Sequence, residues 1–263
     1  MTQMPLRRAP RFNRRFGMCA IAAALMLLPP PPAAAREAPL EPQEEVEAFI
    51  AGGASGTLVL PPGAPDRRSP AILVLADGEV PDGRASLYLD QLLGAGLAVL
   101  EMTSLPGDAL EAVLAVLARH PRVLGERLGL LGFGLGARQV ATLPERVTAR
   151  ALLYPGCAAM APAAMPGQAV LLMHGDADPA NEGAACVSFV AALSRSGATL
   201  RLRVLAGATY AWDRPAFAGE GHAMLPRPDG AGRVRAEAWP AMAALSAAEV
   251  AGFFAASLLG RDP

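Results

Sequence analysis

The stretch LGLLGFGLGARQV, residues 128–140, decides how the rest of the chain is read. An apolar run is followed by glycine at alternate positions, Gly132, Gly134 and Gly136, and then by residues at helical spacing. These signals predict a buried strand, a sharp turn and a helix. In many enzymes the residue at the apex of such a turn is a nucleophile. Here the apex is Gly134, which has no side chain.

Working outward, the same alternation recurs. GTLVLPPG (56–63) reads as a short strand ended by a turn, and AILVLADG (71–78) as a buried parallel strand. ASLYLDQLLGAG has helical spacing and ends at glycine, LAVLEMT is a strand, and Asp108 gives a start signal to a helix running to His120. Strands are expected at 128–132, 149–154, 169–174 and 200–205, with helices from 135, at 183–196 and at about 246–259. Residues 36–47, acidic and Pro-containing, read as a surface lead-in. Alternating strands and helices predict an α/β domain with a mainly parallel central sheet and helices on both faces. In such sheets chemistry gathers at the carboxyl ends of the strands. The positions to inspect are therefore Asp77 and Gly78, Glu101 to Thr103, Gly134, Tyr154 to Cys157, His174 to Asp178, and Thr209 to Asp213.

The ends and the composition set bounds. Arg7, Arg8, Arg11, Arg14 and Arg15 precede a short apolar run, a proline run and AAA ending at Ala35. This is the layout of a secretory signal, so residues 1–35 are expected to be removed and 36–263 to be one periplasmic or secreted domain. The apolar run falls short of the ~20 residues that span a bilayer, so no stable membrane span is expected after cleavage. Loss of five arginines and no acid takes the formal charge from −1 to −6. Every basic residue is Arg and no basic patch stands out, which argues against a nucleic-acid partner. Roughly 230 remaining residues suit a single domain with a substantial core.

Together the strand ends resemble the dienelactone hydrolase family of the α/β-hydrolase fold. The resemblance runs from AILVLADG to the final helix and is carried by LGFGLGAR, ALLYPGC, LLMHGDADPANEGAAC and LAGATYAWDRP. It implies an ester or lactone hydrolase with a Gly-x-Cys/Ser-x-Gly elbow, an acid in a G-x-x-D segment and a histidine in a Y-P-G-A-x-H segment. In frame these positions are Gly134, Asp178 and Tyr210. The acid is kept, while the nucleophile and the base are replaced. The oxyanion strand also departs, with ADG where these hydrolases have HG and further glycine. The candidate binding positions are Asp77, Gly78, Leu135, Trp212 and His222.

Glycine relieves the elbow's backbone strain, on the order of 1–3 kcal/mol, and cannot attack a carbonyl. Its side chain is expected to be missing because nothing selects for one. The Tyr210 phenol is a poor base near neutrality and is expected to donate its proton to Asp178. Cys157 is the spare nucleophile, but it and Cys186 are the only cysteines after residue 35, and an even count in an oxidising compartment points to a disulfide. His120 reads as a surface residue and His174 as a hydrogen-bonded core histidine, while His222 is the candidate for a displaced base. His174, Asp176 and Asp178 lack the further ligands of a metal set, so no metal is expected. GFGLGA fits a dinucleotide fingerprint but lacks the acid ~20 residues on, so no cofactor is expected. Two readings stay open. One is a protein that has lost hydrolysis and binds a small ester, lactone or carboxylic acid. The other is a hydrolase working through Asp178 with His222 or Cys157.

Overall fold

The computed structural model describes residues 44–260 except 65, 79–81, 108 and 216–220. The expected signal segment and the Asp108 start signal lie outside the described residues. Strands β1 (Glu45–Ala51), β2 (Ala54–Leu60), β3 (Ser69–Leu75), β4 (Ala98–Ser104), β5 (Val123–Phe133), β6 (Ala149–Leu153), β7 (Ala169–Gly175) and β8 (Thr199–Leu205) form one sheet. Their order is β1-β2-β4-β3-β5-β6-β7-β8. The β1/β2 and β2/β4 pairs are antiparallel and all others parallel.

Among the described residues five α-helices cover the sheet. Apolar residues of α2 (Leu110–Ala118), α3 (Leu135–Thr142) and α4 (Gly183–Arg195) share one core cluster, Val113, Val140 and Phe189 among them. Those of α1 (Ala85–Gly94) and α5 (Pro240–Leu258) share the other, with Tyr88, Leu92 and Phe254. β3 is buried at all seven positions, as a strand covered on both faces must be. α5 has the length and apolarity to cross a membrane, but here it packs as a core helix against α1, β5 and β6.

The segment 36–47 is not simply a lead-in, because β1 begins at Glu45. It turns at Gly52 and Gly53, both at positive φ, and pairs back along β2. A further hairpin, β9 (His222–Pro226) with β10 (Arg233–Glu237), follows β8. Val234 and Ala236 bury its root, and Ala236 bridges to Tyr210.

Candidate active site

The turn at residues 132–136 has the geometry expected of an elbow. Gly134 sits at φ 48° and ψ −110°, and its N–H donates to the Leu153 carbonyl at 2.9 Å. The flanking glycines permit the tight strand-to-helix crossing. A Cβ on Gly132 would press on the α3 backbone, and one on Gly136 would run into the Leu75 and Ala76 carbonyls at the end of β3. The turn is therefore intact although its apex is bare.

The space above the apex is not empty. A Cβ on Gly134 would collide with the Asp77 carboxylate and with the Tyr210 hydroxyl. Asp77 follows β3, and its side chain is 10% exposed. Its Oδ1 accepts from the Leu135 N–H at 2.9 Å, and its Oδ2 accepts from the Tyr210 hydroxyl at 2.6 Å. In an active elbow the amide of the residue after the nucleophile is one of the two oxyanion donors. Here that donor already holds a carboxylate. The arrangement is favourable in itself, since a negative group caps the open N–H end of α3.

Behind this plug runs a buried chain of polar groups. Arg84 Nη1 donates to Asp77 Oδ2 at 3.2 Å and to the Tyr154 hydroxyl at 2.9 Å. Tyr154 donates to Asp213 Oδ1 at 2.7 Å, and Tyr88 donates to Asp213 Oδ2 at 2.6 Å. Arg84 Nε and Nη2 are taken by Asp82. Burial opposes charge on Arg84, yet Tyr154, Asp82, Asp213 and Asp77 around it carry its pKa well above the usual value. Burial lifts the Asp213 carboxyl, against the pull of Arg84 and the two phenols. Burial, then Asp77 beside it, pushes the Tyr210 phenol far up, so it holds its proton and serves as a donor. Every member of the chain has a partner, as buried polar groups require.

Asp178 does not take the Tyr210 proton, and that expectation is corrected. The hydroxyl is committed to Asp77, which reaches it across the space a nucleophile's side chain would fill. Asp178, 2% exposed, instead accepts from the Ala180 N–H at 2.8 Å and from Asn181 Nδ2 at 2.7 Å. Asn181 Oδ1 in turn accepts from the Gly156 N–H at 3.0 Å. Burial raises the Asp178 pKa, partly offset by those two donors. Asp178 thus anchors the loop after β7.

Cys157 and Cys186 are joined in a disulfide that ties the loop after β6 to α4, so Cys157 offers no thiol. Trp212 has no exposed surface; it stacks edge-on against Tyr154 and donates to Ser246 at 2.8 Å. His222 opens β9 and is half-buried. His174 is buried with Nδ1 at 3.0 Å from the Gly175 carbonyl, and His120 meets Glu47 on the surface. Among the described residues no cluster of three metal-ligating side chains occurs. Beside the plug a cleft of about 310 Å³ is lined by Asp77, Gly78, Leu135, Arg214 and the Leu225–Pro228 end of the hairpin. Sequence reasoning flagged Tyr154 and Asp213 only as strand-end positions. It missed Arg84 and Tyr88, which sit at the start of α1 without any motif.

No protein-family model matches the chain, and no curated protein matches it in sequence. Solved structures do match. A dienelactone hydrolase-like promiscuous phosphotriesterase from metagenomic libraries aligns over 82% of this chain and 98% of its own, with 15% identity and a TM-score of 0.59. An α/β hydrolase enzyme from a Medee basin deep-sea metagenome aligns over 65% and 85%, at 15% identity and a TM-score of 0.55. The chain has the α/β-hydrolase fold. An esterase from the fungus Rhizomucor miehei aligns over 83% and 85%, at 14% identity and a TM-score of 0.59. At these identities the likeness is one of fold. The α/β-hydrolase elbow is thus the frame in which Gly134, Asp77 and Tyr210 have to be read.

Proposed function

We propose that this chain is an exported dienelactone hydrolase-like protein that has lost nucleophilic ester and lactone hydrolysis. One observation carries the reading: the Asp77 carboxylate occupies the place of the nucleophile's side chain and takes the Leu135 amide as its own hydrogen-bond donor. Gly134 cannot attack, Tyr210 cannot accept a proton, and the donor that would stabilise a tetrahedral oxyanion is already engaged. In a hydrolase triad elsewhere, losing the nucleophile alone costs about 10⁶ in turnover, with ~10³–10⁴ over water remaining to the oxyanion hole and binding. The plug removes much of that remainder too.

The carboxylate of Asp77 also mimics an acid product, with one oxygen at the oxyanion donor and the other at the base position. A ligand of the adjoining cleft is therefore a neutral small ester or lactone rather than a carboxylic acid, whose place is filled. The buried disulfide is compatible with export, and the arginine-led segment 1–35 supports it.

The test is hydrolysis of p-nitrophenyl acetate and butyrate by the purified protein. Gly134→Ser/Tyr210→His serves beside it, with and without Asp77→Gly. The natural protein is expected to be inert, and activity is expected only once Asp77 is gone. Turnover by the natural protein that vanishes in Asp178→Ala would overturn the proposal.

A further inference from the structure

The sheet ends in two edge strands, β1 and β8. Among the described residues no strand pairs with the outer side of either, so each presents a row of backbone N–H and C=O groups. Such a row fits one kind of partner, another extended strand. Natural edges are commonly blunted by a charge on the open face, a proline or a bulge. β1, EVEAFIA, has none of these. Its pairing with β2 runs without a break in register. Glu45 and Glu47 lie on the α2 side with Phe49 and Ala51, where they pair with Arg122 at 2.7 Å and His120 at 3.0 Å. The other side carries Val46, Ala48 and Ile50, all exposed, Val46 at 65% and Ile50 at 77%. The apolar rim continues on the α2 side. A Cβ on Gly52 would touch Ala112, and His120 meets Glu47, so the helical stripe 112–116–120 faces β1. Val116, on that stripe, is exposed.

The pattern of β1 also says which strand fits it. A two-fold axis perpendicular to the sheet keeps each side chain on its own face, so the axis passes through a residue. Placed at Ala48, it pairs every position of the strand: Val46 with Ile50, Ala48 with itself, Glu47 with Phe49 and Glu45 with Ala51. Apolar side chains then meet apolar ones on the open face, and no two like charges are opposed. An axis at Glu47 sets that carboxylate against its own copy, and one at Phe49 leaves Glu45 and Val46 outside the paired strand. β8 fails the same test. An axis at its middle residue, Leu202, sets Arg201 against Arg203, with Glu249 already shared between the two arginines of each copy.

We propose that β1 is a docking edge for a second copy of this chain, which pairs antiparallel with it about a two-fold axis at Ala48. The two sheets become continuous, and Val46, Ala48 and Ile50 of the two copies meet across the seam. This edge is separate from the Asp77 site and does not depend on the hydrolytic reading. One strand pair with Val116 beside it is a small contact, so the dimer is weak, with a Kd on the order of 0.1 mM.

Sedimentation equilibrium of the purified protein, from about 10 µM to about 1 mM, should show monomer and dimer only. Ala48→Lys, at an exposed position, sets two ammonium groups opposite each other and should weaken the dimer about fivefold or more. Cross-linking reads the register. Directly opposed residues have Cα atoms about 4.5–5.5 Å apart, within the reach of a disulfide. Ala48→Cys should therefore oxidise to a covalent dimer. Val46→Cys should not, because its two copies would lie about 13 Å apart along the strands. Mixing Val46→Cys with Ile50→Cys protein should restore the cross-link. Cys157 and Cys186 are joined to each other and do not compete. A monomer throughout that concentration range, equal cross-linking of Ala48→Cys and Val46→Cys, or growth beyond the dimer would each overturn the proposal. So would a dimer untouched by Ala48→Lys and lost on Leu202→Lys, which would assign the contact to β8.

Discussion

Replacing Asp77 by alanine should turn the plug into a measurable vacancy. The carboxylate accepts three hydrogen bonds, from Leu135 N–H at 2.9 Å, the Tyr210 hydroxyl at 2.6 Å and Arg84 at 3.2 Å. Leu135 lies partly in solvent and can turn to water, and Arg84 keeps Asp82. Tyr210 is fully buried and loses its partner. One fully stranded buried donor and two weakened ones cost about 3 kcal/mol. For a domain of this size that is a fall in Tm of about 6–12 °C. Alanine removes only the carboxylate, a volume that formate restores; glycine removes the methylene as well, a volume that acetate restores. With a Kd near 10 mM, about 100 mM of the matched anion returns about 1.4 kcal/mol, or roughly 3–6 °C. The assay is thermal unfolding by circular dichroism in formate, acetate or chloride at equal ionic strength. Formate should favour Asp77→Ala, acetate should favour Asp77→Gly, and neither should move the natural protein beyond chloride. An Asp77→Ala variant that melts with the natural protein, or a rescue indifferent to anion size, would refute the idea that this carboxylate sits in the oxyanion position.

Three further outcomes are expected. Gly134→Ala should cost about 1–3 kcal/mol for its positive φ and a further ~1–3 kcal/mol for overpacking. Urea unfolding should show part of that cost relieved in an Asp77→Gly background, as a coupling of about 0.5–3 kcal/mol. Replacing Cys157 and Cys186 by alanine should cost about 3.6 kcal/mol, the chain-entropy value for their separation of 29 residues. Thiol titration of protein purified without reductant should find neither cysteine free until the protein is denatured and reduced. Burial holds the Asp178 carboxyl above its ordinary 3.8, so its contribution to stability is complete below that value and is lost as pH rises through the folded one. The stability of the natural protein relative to Asp178→Asn should therefore fall as pH rises above the ordinary carboxyl value, measured by urea melts; a rise with pH there would contradict the burial argument.

Much of the architecture was legible because burial writes itself into sequence. Strands covered on both faces, such as β3 and β7, are nearly unbroken apolar runs, and each is followed by the turn residues that end it. β1 and the β9–β10 hairpin were passed over, although each carried a cue. Gly52-Gly53 separates two strand-like runs, and Asp229-Gly230 marks a turn. In both hairpins the partly exposed strands lack a continuous apolar run, and the acidic start of β1 hid it. The elbow and its bare apex were readable at the sequence level. The plug was not, because nothing in ADG says which way a carboxylate turns. Its direction follows from three-dimensional coincidence: an open helix N-terminus, a glycine apex and the Tyr210 phenol.

That coincidence changes the meaning of Gly134. From sequence alone, a missing nucleophile is an omission, a side chain lost because nothing maintained it. In the structure the glycine is a requirement, since any Cβ would strike both Asp77 and Tyr210. Gly134, Asp77 and Tyr210 are therefore parts of one packing solution. Tyr210 donates a hydrogen bond to Asp77, and Asp77 supplies α3 with a negative cap. Placing serine at 134 alone would break this arrangement. On the proposed reading any gain of catalysis runs first through Asp77, so the effect of removing that carboxylate tests whether it plugs the site.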